Sequence, residues 1–167
     1  MSAGRTRVLL MNPTRILVLL SVLFLPAATA LATDTHAKGA EPAHISQGAE
    51  VTLTDYLVPG KTTIFDFTSA YCPPCQGYTQ PLALLHARRA DIAVVKVDIN
   101  RPDVRGIDWN SPVAREFKLY SIPHFTVYGP DGKLVADDKL ILGPDGRPVS
   151  RDAAARKMVD QWIDGLK

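Results

Sequence analysis

The sequence predicts an α/β fold, with a central mixed sheet of four to five strands flanked by helices. Three observations carry this. Two apolar, β-branched runs at 62–68 and 92–98 bracket a helix-length segment, so they form a βαβ unit whose strands are parallel. Runs at 125–128 and 133–136 flank Gly129-Pro130-Asp131-Gly132, which reads as the turn of an antiparallel hairpin. Near the end, Ala155, Met158, Val159, Trp162, Ile163 and Leu166 form one apolar stripe at helical spacing.

Taken in order, the first element is not fold. Arg5, Arg7 and Arg15 precede the apolar run ILVLLSVLFL at 16–25, then Pro26 and small residues. This predicts a secretory signal over 1–32, cut at Ala30-Leu31-Ala32 or, as a close second, Ala28-Thr29-Ala30. The run is short for a membrane span, which leaves an uncleaved anchor as the lesser alternative. Met11 could also serve as the start, and no cysteine follows for lipid attachment. Residues 33–48 lack periodicity and read as a flexible leader; 49–167 form the folded domain. Val51-Thr52-Leu53 suggests a short edge strand before the turn at Pro59-Gly60. The strand at 62–68 is apolar enough to be buried on both faces. A helix follows from Cys72 to about Arg89, with a kink expected at Pro81. After the 92–98 strand and a polar loop at 100–110, Ser111-Pro112 caps a short helix to about Lys118. Gly143-Pro144-Asp145-Gly146 repeats the earlier turn chemistry, and Ser150 is expected to cap the last helix.

Charge excludes one class of partner. The whole chain carries 19 Lys+Arg against 17 Asp+Glu, a formal +2. Residues 1–32 hold three arginines and no acid, so without them Lys+Arg falls to 16 and the net charge to −1. The basic balance belongs to the signal, and nothing suggests nucleic acid. The remaining 135 residues or so suffice for one domain with a real core.

The chain's only two cysteines stand in Cys72-Pro73-Pro74-Cys75, directly after the first core strand. A structural disulfide gains most by closing a long loop, and this one would close almost nothing. Two thiols delivered by a strand to a helix start, where the local field is positive, instead suit a dithiol redox centre. Pro73 and Pro74 lack N–H groups, so two donors that could stabilise a Cys72 thiolate are missing. A modestly activated thiol and a reducing couple are expected.

With these elements in order, the chain over about residues 60–166 resembles the thioredoxin-like superfamily, a three-layer fold. The resemblance rests on Cys72-Pro73-Pro74-Cys75, Asp66 six residues before it, Lys96 in Val95-Lys96-Val97-Asp98, and Ile122-Pro123; Gly143 is a weaker match. The stretch 48–61 is also similar to exported thioredoxin-like reductases of the bacterial envelope, without their large insertion. Thr68, Tyr71, Pro73-Pro74, Gln76 and Pro81 depart from the thioredoxin pattern. The resemblance implies Cys72 as attacking thiol, nearer solvent, and Cys75 as the resolving one. It implies a buried Asp66 near Lys96 that takes the Cys75 proton, and a cis Pro123 that presents Ile122 to substrate. Tyr71 and Trp109 are candidate substrate contacts. His124 is expected beside the dithiol, while His36, His44 and His86 are expected to face solvent.

The function these readings imply is a monomeric, periplasmic thiol–disulfide oxidoreductase without a cofactor, acting on oxidised protein substrates. Its electrons would come from an upstream thiol donor, expected to be membrane-bound, with the chain's own membrane contact confined to the signal segment. The reductase direction is favoured over oxidase or isomerase. A metal-binding, copper-handling module using Cys72, Cys75 and His124 is the alternative from another class.

Overall fold

The computed structural model describes residues 41–167; the signal segment and the first half of the expected leader lie outside the described residues. Seven residues, the central five all buried, form β2 (Thr62–Thr68), and α1 (Pro73–Arg88) carries the chain back to β3 (Ile92–Asp98). β2 and β3 pair in parallel, Thr62 opposite Ile92 through Thr68 opposite Asp98, as the βαβ reading requires. α1 runs as one helix through Pro81. Ser111 caps α2 (Pro112–Glu116), its hydroxyl accepting the N–H of Ala114. β4 (His124–Tyr128) then lies antiparallel to β2 and to β5 (Leu134–Leu142).

Among the described residues six strands form the sheet, one or two more than expected. With β1 (Ala43–Ile45) and β6 (Pro148–Ala153), the order is β1-β3-β2-β4-β5-β6. β1 lies inside the segment read as a flexible leader and pairs in parallel with Val95–Val97. Three residues are too few to show periodicity, and the β3 ladder supplies the order. The chain leaves β1 through Gly48, at φ +83°, whose N–H donates to the Asp98 carbonyl at 2.9 Å. A Cβ there would stand 2.7 Å from the Arg101 backbone nitrogen, so only glycine fits.

Val51–Leu53 is not a strand; a 3₁₀ turn covers Leu53–Tyr56. Val51 and Leu53 are both buried in the core, and the Val51 N–H donates to the Glu116 carboxylate at 3.2 Å rather than to a ladder. Ser150 caps nothing. It lies in β6, and the last helix, α3 (Ala154–Asp164), begins four residues later. The second Gly-Pro-Asp-Gly segment explains this. In both segments the first glycine's N–H donates four residues on, to Lys133 and to Arg147, at 2.8 Å, and the last glycine has φ near +75°. Both are hairpin turns, so β5 continues into a third antiparallel strand.

The sheet divides two apolar layers because β2 alternates. Phe65 and Phe67 join Val95, Val97, Val113 and Leu119 on one face. Ile64 joins Leu82, Leu85, Val94, Phe125 and Val159 on the other, under α1 and α3. The α3 stripe is packing, as expected, and Tyr78 of α1 ties to α3 by donating to Asp160 at 2.8 Å.

Candidate active site

Cys72 is the N-cap of α1, held extended at φ −109°, and Pro73 and Pro74 fill the first helical positions, where an N–H would have no helical partner. The first amide free to point back is that of Cys75, which donates to the Cys72 sulfur at 3.2 Å. The two sulfurs are bonded at 2.07 Å, with Cα atoms 5.3 Å apart. Cys72 and Cys75 are equally buried, each 1% exposed, so the expectation that Cys72 lies nearer solvent does not hold. The segment before β4 covers it: the Cys72 Sγ lies 3.7 Å from the Ile122 carbonyl oxygen. Helix position, not exposure, distinguishes the two sulfurs. The Ile122–Pro123 bond is cis.

Asp66 is buried at the centre of β2, opposite Lys96 on β3. Its Oδ1 is buried without a hydrogen-bond partner. Desolvation pushes its carboxyl from 3.8 up to about 7, and the charges of Lys96 and Arg156 hold it from rising further. Asp66 and Lys96 thus interact through their fields and not through a contact ion pair. A carboxyl that titrates near neutrality can accept or release a proton at working pH.

His124 opens β4, and its Nε2 lies 3.0 Å from Asp137 Oδ1, which also accepts from the Thr126 hydroxyl at 2.8 Å. Burial pushes the Asp137 carboxyl up, but these hydrogen bonds outweigh it and hold the group below its usual range. The His124 ring packs edge-on against Phe67, with centroids 5.3 Å apart. Among the described residues no group of three His, Cys, Asp or Glu side chains is gathered as metal ligands. Tyr71 and Trp109 are exposed, and His44 is also exposed. His86 is not: it is buried against β3, its Nδ1 accepting the Val94 N–H at 3.0 Å. β1 pairs only with Val95–Val97, so Val94 lies beyond that ladder. His36 lies outside the described residues.

Sequence reasoning missed Asp138 and Arg156. Asp138, buried in β5, accepts the backbone N–H of Phe125 at 3.2 Å and of Arg156 at 3.0 Å. The Arg156 guanidinium donates to the Pro123 carbonyl, pairs with Asp138 at 3.8 Å and lies 6.0 Å from the Phe125 ring centroid. The pair therefore ties α3 and β5 to the turn that faces the dithiol. Two adjacent acids, Asp137-Asp138, inside an otherwise apolar strand were the available signal, since a buried carboxylate needs a partner.

A dithiol at a parallel-strand-to-helix junction, faced by a cis Ile-Pro turn, is the arrangement of a thiol–disulfide exchange site, and its α/β setting is similar to that of thioredoxins. Among known proteins, similar ones are thioredoxins of plants and a tryparedoxin. The chain is 34% identical to thioredoxin H3 of Arabidopsis thaliana, over 39% of this chain and 48% of that one. It is 30% identical to a thioredoxin H-type of Brassica campestris, over 48% and 57%. It is 27% identical to tryparedoxin of Trypanosoma brucei brucei, over 61% and 85%. The chain thus spans about half the length of the plant relatives it matches. Among solved structures, spinach chloroplast thioredoxin F aligns over 78% of this chain and 98% of its own, at 15% identity and TM-score 0.49. No family model matches.

Proposed function

We propose that this chain is a thiol–disulfide oxidoreductase acting on protein disulfides, working as a reductase in the cell envelope after export by residues 1–32. The observation that carries the reading is Cys72 at the α1 N-cap, receiving the Cys75 amide and facing the Ile122 carbonyl. In the reduced protein, that amide and the helix field favour a thiolate at Cys72. The thiolate attacks one sulfur of a client disulfide, forming a mixed disulfide and expelling the other client sulfur as a thiolate, which takes up a proton. Cys75 loses its proton to Asp66, directly or through water, and attacks Cys72. The Cys72–Cys75 bond forms, the second client sulfur leaves, and the client is reduced by two electrons. Lys96 keeps the Asp66 carboxyl within reach of ionisation at neutral pH. Ile122 and Pro123 present backbone to the client, with Tyr71 and His124 at the margin of contact.

The basic, apolar, small-residue pattern of residues 1–32 supports export to a periplasm. There an upstream, membrane-bound thiol donor would reduce the Cys72–Cys75 bond, and the protein would act as a monomer. The two prolines between the cysteines support the reductase direction, because they leave one amide where three could serve. Insulin-disulfide reduction with dithiothreitol, together with the measured potential, tests this. Cys72→Ser should abolish turnover, and Cys75→Ser should accumulate mixed disulfides with clients in the native envelope. Turnover that survives Cys72→Ser refutes the mechanism, and a strongly oxidising potential refutes the direction.

A further inference from the structure

β5 does not stop where β4 begins. Continuing the Thr126 to Asp137 register sets Lys139 opposite His124, so Leu140–Leu142 overhang the start of β4 by roughly 10 Å. β6 pairs along this overhang, Ile141 opposite Ser150 and Leu142 opposite Pro148. The hairpin therefore stands beside the 117–121 segment that leads into Ile122-Pro123. Between them lies a groove of about 280 Å³, lined in part by Lys118, Tyr120, Ser121, Lys139, Leu142 and Arg151.

Two properties of the groove point to its occupant. Tyr120 and Leu142 are exposed, as are Ile141 and Val149 on the same hairpin. The charge is also unbalanced. Of the two carboxylates lining it, Asp137 is engaged by His124 and Asp138 by Arg156. Among the cations, Lys118 has no carboxylate within ion-pair distance among the described residues, and Lys139 reaches Asp137 only at 4.0 Å. Arg151 donates to the Ser121 hydroxyl, a neutral partner, and so keeps its charge uncompensated. Ser121 is also the residue directly before Ile122, whose carbonyl meets the Cys72 sulfur. One wall of the groove is thus the chain neighbour of the residue that meets the dithiol.

We propose that the β5–β6 hairpin and the 117–121 segment form a client-binding subsite that takes an extended polypeptide segment, apolar and acidic, flanking the client's reactive disulfide. This rests on the oxidoreductase reading and deepens it. An acidic side chain on that segment meets Lys118 and Arg151, while an apolar one covers Tyr120 and Leu142. Surface charge pairs are individually weak, so the subsite ranks clients by a modest factor and speeds their encounter more than it tightens the complex.

Two synthetic disulfide-bonded peptides test it, identical except that Asp and Leu residues flank the cysteine in one and Lys and Ser residues in the other. Each is assayed with dithiothreitol as reductant. The wild-type protein should reduce the acidic, apolar peptide with a kcat/KM roughly fivefold above the other, and the ratio should shrink in 1 M salt. Lys118→Glu should bring the ratio to about one or below, and Leu142→Ser should lower it by about half. Both positions are exposed, and circular dichroism confirms that the variants are folded. A wild-type ratio near one, or a ratio unchanged by both substitutions, overturns the subsite while leaving the enzyme intact. Reduction of neither peptide by the folded wild-type protein overturns the oxidoreductase reading and the subsite together.

Discussion

Replacing Asp66 by asparagine should stabilise the oxidised protein, in a manner that depends on pH. The carboxyl is pushed from 3.8 to about 7. Below pH 4 it is protonated in both folded and unfolded chains and makes no difference. Between about 4 and 7 the folded chain keeps a proton that the unfolded chain releases, so stability falls as pH rises, by about 1.4 kcal/mol per pH unit. Above about 7 the loss is complete, at roughly 4 kcal/mol. Asparagine removes this slope but leaves a buried amide, whose Oδ1 site has no partner, at a cost of about 1–3 kcal/mol. Asp66→Asn should therefore gain about 1–3 kcal/mol at pH 8 and lose about 1–3 kcal/mol at pH 4. Urea unfolding of the oxidised protein at both pH values measures this. A stability difference that is the same at pH 4 and pH 8 would refute the buried-carboxyl argument. The same variant should slow disulfide turnover by about 10²-fold or more if Asp66 takes the Cys75 proton.

Two further perturbations test the supports of the site. Arg156→Met leaves the buried Asp138 charge without its cation and should cost about 3–5 kcal/mol in urea unfolding. Adding Asp138→Asn should recover part of that loss, and the rising limb of the turnover pH profile should move to higher pH in Arg156→Met, because the Arg156 field lowers the Asp66 pKa. Gly48→Ala forces a Cβ against the Arg101 backbone at a positive φ and should cost about 1–3 kcal/mol; a neutral result in urea unfolding would mean the turn relaxes freely.

The βαβ unit, the dithiol's place and the first hairpin were legible because their patterns are local. An apolar run, a helix-length gap and a Gly-Pro-Asp-Gly turn each announce themselves within a few residues. What was missed depends on distant partners. Ala43–Ile45 becomes a strand only because β3 offers an edge, and Val51 leaves the ladder only because Glu116 is nearby. β6 could have been read, since the second Gly-Pro-Asp-Gly announces it as plainly as the first; its exposed, polar residues hid the strand. At the site, the resemblance singled out Cys72, Asp66 and Pro123. It could not reveal that Arg156, more than thirty residues beyond Pro123, reaches back to its carbonyl.

The shielding of both sulfurs bears on the protein's life among other thiols. A bond with 1% exposure on either cysteine is reduced by small thiols such as dithiothreitol only when they are in large excess, and slowly by dilute ones that meet it by random collision. Exchange then waits on a partner large enough to displace the Ile122–Pro123 side of the cleft and shaped to occupy it. On the proposed reading, such a carrier would hold its redox state between encounters, even where the surrounding pool would equilibrate it. Its specificity would then be a matter of time as well as of potential: electrons would move when a suitable protein docks, and otherwise stay where they are.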